Sequence, residues 1–400
     1  MEKEEETPKN VQLEFIKKLN EEKREENFLL SPIGLEMVLS LSASGAAGKT
    51  QEELLKSLNC EKIEDAIKMS EDIINALEKD KNNIKLANVI LSRAKTVKST
   101  FTNTVDKLKA KIEELKDVNC VNKWVNEKTN GKIPNIIDII PEEIIMILLS
   151  ASYFEANWKI QFKKEDNYER IFNNIDGITV HTMNMTLFAE DLNYFEKEGL
   201  FQAIRLNYKL KIDDKSEPKD NKKKEDDKKE SIYSLIILPK DKIINEFLKN
   251  FEKKDFDEIV EELKKEKKES VNLFLPKFKI DSKLELNAML KELGVEKAFT
   301  KEAEFTGICD QKEIHIDKVL QENYINVNEI GTQAASVTKM DIILECFREK
   351  DPNSKDFIVD RPFLFFIIDE NCPKGHEILF FSKICKMKND ENEENDENEE

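Results

Sequence analysis

The sequence predicts an α+β fold in which several β-sheets and a set of helices form one large domain. Apolar residues recur at helical spacing in much of the first third, and strand-like apolar runs dominate the last third. No internal repeat or linker divides the 400 residues, and 39% of them are hydrophobic, which is enough for a sizeable core. Helices and strands in mixed order favour the α+β class.

The first third is predicted to be mainly helical. Apolar residues recur every four positions from Val11 to Leu19, as in an amphipathic helix. The apolar stretch 33–44 predicts a second helix, and Thr50 is expected to cap a third helix with Glu53 as its capping-box partner. Further helices are expected at 63–78 and 121–129, a strand at 86–91, and mixed signals at 101–116.

The rest of the chain is predicted to be rich in strands. Residues 144–154 are almost continuously apolar, which is typical of a strand buried on both faces. Residues 204–208 and 232–238 predict a hairpin, and the Lys, Asp and Glu tract at 213–230 between them has too few apolar residues to order itself. The remaining predictions are strands at 271–280, 314–327, 363–368 and 378–384, and helices near 241–265 and 283–293.

Charge and cysteine content limit the partners and the compartment. The 82 acidic and 64 basic residues give a net charge of −18, which repels phosphates, so we expect no nucleic-acid or membrane partner. The first residues lack the apolar run of a secretory signal, and the six cysteines show no Cys-x-x-Cys spacing. These features predict a cytoplasmic monomer with reduced thiols, with unconventional release to the extracellular space left open.

Local motifs give little support for an enzyme. His181, His315 and His376 are not paired at helical spacing, so a helical metal site is not expected. Residues 43–50 nearly match a phosphate-binding loop, but Ala43 replaces the required glycine and a helix precedes it. No Gly-x-Ser-x-Gly elbow is present. We therefore expect no catalytic residue, no metal and no cofactor.

The segment from Gly331 to Glu345 carries the most specific pattern. Every second residue from Thr332 is small or apolar, whereas the residues between them are more polar. This alternation is typical of a strand with one buried face. A polar stretch that resembles a surface loop follows it, up to position 356. Both an ordinary edge strand and a loop that can become a strand explain the pattern.

Five groups of motifs follow one another along nearly the whole chain. They are Asn-Phe-Leu-Leu-Ser-Pro at 27–32 with Gly-Ala-Ala-Gly-Lys-Thr at 45–50, the Trp124 helix at 121–133, Ser-Tyr-Phe-Glu-Ala-Asn-Trp at 152–158, Val-Asn-Glu-Ile-Gly-Thr-Gln-Ala-Ala at 327–335, and Asp-Arg-Pro-Phe-Leu-Phe at 360–365 with Ile-Leu-Phe-Phe at 378–381. Together and in this order they resemble the serpin family. One such motif would be moderately specific, and the full ordered set is highly specific.

The resemblance implies the serpin fold, with three β-sheets, about eight or nine helices and an exposed reactive-centre loop. We expect one domain over 1–388 that contains the 213–230 insert and a reactive loop at about 329–356, followed by an acidic disordered tail at 389–400. The implied function is inhibition of a serine protease, or of a cysteine protease, as a suicide substrate. The cut loop then inserts as a new strand into the large sheet and carries the covalently bound protease with it.

The resemblance also assigns residues to sites. The family's breach, where the loop enters the sheet, has its tryptophan at Trp158. Its shutter, the polar cluster below the point where the sheet opens, keeps Ser31. It has Gly34 at a serine position, Ser150 at an asparagine position and Gln321 at a histidine position. We expect Ser150 and Gln321 to hydrogen-bond each other. The hinge of the loop is Gly331, Thr332, Gln333, Ala334, Ala335, Ser336, Val337 and Thr338.

Two ways of counting place the cleaved bond at different residues, and both positions stay open. Counting forward from the hinge glycine at the family's usual spacing gives Glu345-Cys346, and counting backward from the following strand gives Arg348. A glutamate would need a protease with a basic specificity pocket. An arginine would suit a trypsin-like pocket with a buried aspartate. Further candidates are Asp341, Lys350 and Asp351.

A non-inhibitory serpin that acts as a binding or chaperone module is the alternative function. Members of that kind often carry bulky, charged or proline residues in the hinge. This chain has none of those from Thr332 to Thr338. The hinge composition therefore favours an inhibitor.

Overall fold

The structure is a computed structural model that describes residues 10–79, 84–94, 96–209, 231–240, 244–332 and 353–389. The predicted insert at 213–230 and nearly all of the predicted tail lie outside these ranges. So do the hinge positions Gln333, Ala334, Ala335, Ser336, Val337 and Thr338 and the predicted reactive residues Glu345, Cys346 and Arg348. None of the described helices is long and apolar enough to cross a membrane.

Nine α-helices occur in the described residues, and six of them end at or before Lys128. Asn10 and Asp117 cap two of them, because their side chains accept hydrogen bonds from the backbone N–H groups of Leu13 and Cys120. The helices are α1 (Val11–Glu22), α2 (Pro32–Gly45), α3 (Gly48–Ser57), α4 (Ile63–Lys79), α5 (Ser99–Lys107), α6 (Val118–Lys128), α7 (Ile244–Asn250), α8 (Lys253–Lys264) and α9 (Asn287–Glu292).

Sixteen strands accompany these helices in the same ranges. They are β1 (Phe28–Leu30), β2 (Ile84–Ser92), β3 (Lys111–Glu114), β4 (Met146–Phe154), β5 (Ala156–Trp158), β6 (Tyr168–Asn173), β7 (Thr179–Lys197), β8 (Phe201–Lys209), β9 (Ile232–Pro239), β10 (Glu269–Pro276), β11 (Phe278–Glu285), β12 (Lys318–Val327), β13 (Gly331–Thr332), β14 (Lys355–Ile358), β15 (Phe363–Asp369) and β16 (Ile378–Ile384).

Sheet I contains a long pair of parallel strands, β4 and β12, beside which the candidate site lies. Its strand order is β3-β2-β4-β12-β11. Strands β4 and β12 run parallel and pair directly, from Ile147 with Lys318 to Tyr153 with Tyr324. We call this boundary between β4 and β12 the seam. Both neighbours on the outer sides, β2 and β11, pair antiparallel, so the seam lies in the middle of the sheet.

The seam is buried on both faces. On the outer face, Val121 and Val125 of α6 form one apolar cluster with Leu149 of β4 and with Leu320 and Tyr324 of β12. On the inner face, α2 packs against β2 and β4 as part of the main core. Because both faces are covered, the nine residues of β4 are all buried, as the continuous apolar run predicted.

Two further sheets complete the fold. Sheet II has the antiparallel order β1-β16-β15-β9-β8. Sheet III has the order β6-β7-β10-β14. The long strand β7 passes from sheet III to sheet II, where its last residues pair with β8. Strand β5 joins sheets I and II, because Trp158 pairs with Tyr208.

The structure corrects several predicted boundaries. Thr50 does not cap α3, which begins at Gly48 after Ala47, and its hydroxyl instead accepts the backbone N–H of Glu304. The single strand predicted at 271–280 is two strands, because β10 belongs to sheet III whereas β11 crosses into sheet I. The helix predicted at 283–293 shrinks to α9, since β11 continues to Glu285.

Candidate functional site

The first two residues of the predicted hinge form a strand at the upper end of the seam. Gly331 and Thr332 make up β13, which pairs antiparallel with both of its neighbours. Thr332 lies opposite Val327 of β12 on one side and opposite Ala156 of β5 on the other. Strand β5 follows β4 after a single residue, so β13 lies between the extensions of the two seam strands.

Gly331 is required by the space between the backbones. A Cβ at this position would lie 2.0 Å from the carbonyl oxygen of Ala156 and 2.6 Å from the Cα of Asn157. Backbone atoms cannot give way as a flexible side chain can, so a larger residue would force β13 out of its position. The glycine therefore allows the chain to enter the sheet here.

Trp158 holds the turn that leads from β12 into β13. Its ring stacks on Tyr208 with a centroid separation of 4.5 Å, and its Nε1 donates to the carbonyl of Asn328 at 2.9 Å. The Trp158 backbone N–H donates to the carbonyl of Ile330 at 2.8 Å. The Tyr208 hydroxyl in turn lies 2.7 Å from the Thr332 hydroxyl. The structure thus places Trp158 beside the hinge, and sequence reasoning missed Tyr208.

Glu329 anchors the same turn through charge. Its side chain is buried, accepts a hydrogen bond from Asn167 at 2.5 Å and lies 3.5 Å from the Lys277 ammonium. Burial opposes ionisation, but the hydrogen bonds from Asn167 and from the backbone, together with Lys277, hold the pKa of Glu329 below its usual value. The turn before the hinge therefore carries a paired carboxylate, which the sequence did not single out.

At the positions predicted for the shutter, Gln321 binds the start of α2. Its Oε1 accepts the backbone N–H of Ser31 at 2.8 Å, and its Nε2 donates to the Ser31 carbonyl at 2.9 Å. The Ser31 hydroxyl donates to the carbonyl of Leu379 in β16. The expected hydrogen bond between Ser150 and Gln321 is not formed, and the Gln321 amide binds the Ser31 backbone instead. The Ser150 hydroxyl is buried and has no hydrogen-bond partner in the described part of the chain.

The glycine at position 34 follows from the same packing. A Cβ there would lie 2.6 Å from the Ser150 hydroxyl oxygen and 3.3 Å from Gln321 Nε2. The side chains of Ser150 and Gln321 thus occupy the space that a serine at position 34 would need. The three departures from the family pattern are therefore coupled, and they produce a different polar cluster rather than a loss of the cluster.

A second polar pair, which the sequence did not reveal, crosses the seam itself. The Ser152 hydroxyl of β4 donates to Asn323 Oδ1 of β12 at 2.5 Å. The Asn323 amide nitrogen donates to the Leu29 carbonyl at 3.0 Å and to Gln321 Oε1 at 2.9 Å. Because Asn323 follows Gln321 by two positions, both side chains are on the inner face. This spacing of two residues was the sequence signal that could have revealed the second polar pair. The seam is closed by this side-chain bond as well as by its backbone ladder.

On the outer face of the seam, Glu322 is a buried carboxyl group with an incomplete set of partners. It is 4% exposed and lies opposite Ala151 of β4, and its Oε2 has no hydrogen-bond partner among the described residues. Burial raises the pKa of Glu322 to about 8, and the negative charges of Asp281 and Asp138 act in the same direction. The group is thus protonated at neutral pH.

Comparison with known proteins identifies the family. The family model for Serpin (serine protease inhibitor) matches residues 6–387, so the chain belongs to the serpin family. The leukocyte elastase inhibitor of Sus scrofa is 28% identical over 383 residues, covering 89% of this chain and 92% of that protein. An uncharacterised serpin-like protein of Thermococcus kodakarensis is 27% identical over 380 residues, covering 91% and 81%. Members of this family are generally protease inhibitors rather than enzymes.

Solved structures confirm the serpin fold. The thermophilic serpin Tengpin in its native state superimposes with a TM-score of 0.77 at 27% identity, covering 94% of this chain and 92% of that one. Serpin48 of the insect Tenebrio molitor gives a TM-score of 0.73 at 26% identity, covering 94% and 97%. The predicted α+β serpin fold is therefore confirmed.

We predict that Glu322→Gln stabilises the protein most at alkaline pH. The pKa of Glu322 is about 8 in the folded state, against 4.5 when it is unperturbed. The folded state therefore holds a proton that the unfolded state releases. The resulting stability is present below pH 4.5 and is lost progressively as pH rises through about 8. Glutamine avoids this loss, which is on the order of 5 kcal/mol for a pKa raised from 4.5 to about 8.

Thermal unfolding midpoints at one scan rate, measured at pH 5 and pH 8.5, test this prediction. Glu322→Gln should raise the midpoint at the higher pH far more than at the lower pH. Glu142→Gln is the matched control, because Glu142 is exposed. An equal effect of the two substitutions at both pH values would contradict a buried, protonated Glu322.

Proposed function

We propose that this serpin inhibits a serine-type endopeptidase as a suicide substrate. The protease attacks the loop and forms an acyl-enzyme, and the cut loop then inserts into the seam between β4 and β12. The observation that carries this proposal is β13, which lies at the upper end of the seam and pairs with the strands on both sides. Insertion would then extend the existing strand β13 along the seam between β4 and β12.

The register supports this extension. Thr332 pairs with Val327 and Ala156, and β12 pairs with β4 through Tyr324 and Tyr153. The pairings share one offset, so an extended β13 would stay in register with both strands without a bulge. If β13 continued residue by residue in this register, position 336 would lie between Ser152 and Asn323. Position 338 would lie between Ser150 and Gln321.

These positions match the polar row on the inner face. Position 336 is Ser336, which would replace the lost partner of Ser152 and Asn323 when the seam opens. Position 338 is Thr338, which would arrive beside the Ser150 hydroxyl, a buried group without a partner among the described residues. An unsatisfied buried hydroxyl costs about 1–3 kcal/mol, so a partner supplied by the inserted strand would stabilise the inserted state.

On the outer face of the seam, the same register would bring Lys339 close to Glu322. In the same register, Val337 would lie between Ala151 and Glu322, and Lys339 would follow two positions further along that face. A diagonal neighbour on one face of a sheet is within reach of a long side chain. Lys339 could therefore pair with the Glu322 carboxyl, whose Oε2 has no partner among the described residues. Insertion would thus bring a positive charge to this acid and favour its ionised form.

We assign the reactive bond to Glu345-Cys346, with Arg348 as the alternative. The count forward from the hinge glycine is better constrained than the count backward from the following strand, because the depth of insertion fixes how far the protease is pulled. Positions 345 to 348 lie 13 to 16 residues beyond Thr332, which leaves enough chain to fill the seam from Tyr153 to Ile147. The partner is then a Glu-specific or a trypsin-like serine protease, and a cysteine protease is the further candidate.

We also propose that the protein acts in the cytoplasm. In the described ranges, Cys60, Cys120, Cys309 and Cys385 are free thiols. Burial raises the pKa of Cys60 and of Cys385 to about 11, so these thiols stay protonated. Unpaired, unreactive thiols suit a reducing compartment. Cell fractionation tests the assignment, and recovery of the protein mainly outside the cells would contradict it.

The inhibitory function predicts a covalent complex that survives denaturation. Purified protein is incubated with Glu-specific, trypsin-like, chymotrypsin-like and papain-like proteases and then analysed on a denaturing gel and by mass spectrometry. We expect a complex of serpin plus protease mass, and the released C-terminal peptide identifies the cleaved bond. Cleavage by every protease without any complex would contradict inhibition and would favour the binding or chaperone module.

We predict that Ser336→Arg converts the inhibitor into a substrate. On insertion the arginine would enter the buried row beside Ser152 and Asn323, and burial of an unpaired ion costs several kcal/mol. Slower insertion lets the acyl-enzyme hydrolyse first, so we expect the stoichiometry of inhibition to rise at least tenfold, because about 1.4 kcal/mol corresponds to a factor of ten.

Gln333→Arg is the matched control for this substitution. In the same register, position 333 would lie beside Glu155 and Asn326, which are only partly buried. An arginine there can reach solvent, so the stoichiometry should stay close to that of the wild type. Equal stoichiometry for Ser336→Arg and Gln333→Arg would contradict insertion in this register.

A further inference from the structure

One solvent-facing part of sheet III displays a cluster of aromatic rings around an arginine. The Arg170 guanidinium carbon lies 4.6 Å from the ring centroid of Phe274 and 5.9 Å from that of Tyr168. Phe188 meets Phe274 edge to face at a centroid distance of 5.8 Å. Tyr168 is 44% exposed and Phe188 is 37% exposed. We call these four residues the aromatic–arginine patch.

The backbone is strained at Ala189, the residue that follows the exposed Phe188. Ala189 has a φ of +49°, a left-handed conformation that is costly for a residue other than glycine. A β-bulge lies here, because the pairing of β7 with β10 shifts register between Val271 and Leu273. Bulges re-aim side chains, and strained residues persist only where the surroundings hold them.

Asn272 is the residue that holds this bulge. It is 3% exposed, its Oδ1 accepts the backbone N–H of Ala189 at 3.0 Å, and its amide nitrogen donates to Asp356 of β14 at 2.9 Å. One buried amide thus fixes the bulge in β7 to β10 and to β14, the strand that follows the loop segment. The exposed position of Phe188 is therefore built into the sheet.

Arg170 differs from Arg205 and Arg361 in its charge partner. Arg205 pairs with Glu370 at 2.9 Å, and Arg361 pairs with Asp360 at 2.8 Å. The Arg170 guanidinium makes no ion pair or hydrogen bond within the described ranges, although the chain carries a net charge of −18. Its N–H groups can therefore receive a carboxylate from another molecule.

The patch lies between the two ends of the segment 333–352. On one side, Tyr168 follows Asn167, which hydrogen-bonds Glu329 three residues before Thr332. On the other side, Phe274 pairs with Ile358, which lies only about 10 Å along β14 from Lys355. A globular protease of ordinary size has a radius of gyration of roughly 17 Å. A protease bound close to either end of this segment would therefore reach the patch.

We propose that the aromatic–arginine patch is a secondary docking surface for the protease that attacks the loop. The three rings would bury apolar side chains of the protease, and Arg170 would bind a surface carboxylate next to them. Tyrosine and arginine are the residue types that are enriched in binding hot spots. This inference rests on the proposed inhibitory function and adds a determinant of target selectivity outside the loop.

The experiment measures the second-order rate constant of covalent complex formation with the protease that the panel identifies. Arg170→Ala and Phe188→Ala are compared with the wild type at low and at high ionic strength. Ile171→Ala is the matched control, because Ile171 is 53% exposed on the same strand and its side chain points to the opposite face of β6.

We expect each patch substitution to slow complex formation about tenfold, and Ile171→Ala to change it less than twofold. For Arg170→Ala the difference should shrink at high salt, because a steering charge is screened. Arg170→Lys should recover part of the rate. Stoichiometry and thermal midpoint should stay unchanged, which excludes misfolding.

Two outcomes overturn the proposal in distinguishable ways. Equal rate constants for the wild type and for both patch variants would remove the docking surface and leave the inhibitory function intact. Absence of any covalent complex from the wild type would overturn the inhibitory function, and the docking surface would fall with it.

Discussion

The direct parallel pairing of β4 with β12 is the contact on which the rest of the structure depends. Seven residue pairs close the seam, α6 covers its outer face and α2 its inner face. At its upper end the turn held by Trp158 and Glu329 starts a third strand between the two. Opening the seam removes one ladder, and a full inserted strand makes two. The net gain of about a dozen backbone bonds is on the order of 10 kcal/mol, comparable to the stability of a whole domain.

A native state that lies above a more stable inserted state must be held by a barrier. In the proposed mechanism, the polar groups of the seam contribute to this barrier. Gln321 and Asn323 tie β12 to Ser31 and Leu29, whereas on the β4 side Ser152 crosses the seam and the Ser150 hydroxyl lacks a partner among the described residues. The polar contacts thus favour β12 as the fixed side. At the positions predicted for the shutter, the Gln321 side chain binds the Ser31 backbone.

The sequence was sufficient for the family, the fold class and most long elements, because burial on both faces leaves an unmistakable apolar run at 144–154 and the serpin motifs occur in order. It failed where tertiary context decides. Strands β6 and β7 carry mixed polar and apolar residues and were missed, and the break between β10 and β11 depends on a change of sheet. At the site, Trp158 and Gln321 were found by resemblance. Tyr208, Asn167 and Lys277 were missed, because residues far apart in the chain meet only in the folded structure.

The most direct test of the central claim is the thermal unfolding of the protein before and after a single cut in the loop segment 333–352 by a protease that it does not trap. If the register of β13 continues into the seam, the cut chain inserts, and its unfolding midpoint rises by tens of degrees, as a gain on the order of 10 kcal/mol requires. An unchanged or lower midpoint in the cut protein would mean that the seam does not accept the strand, and would contradict the account.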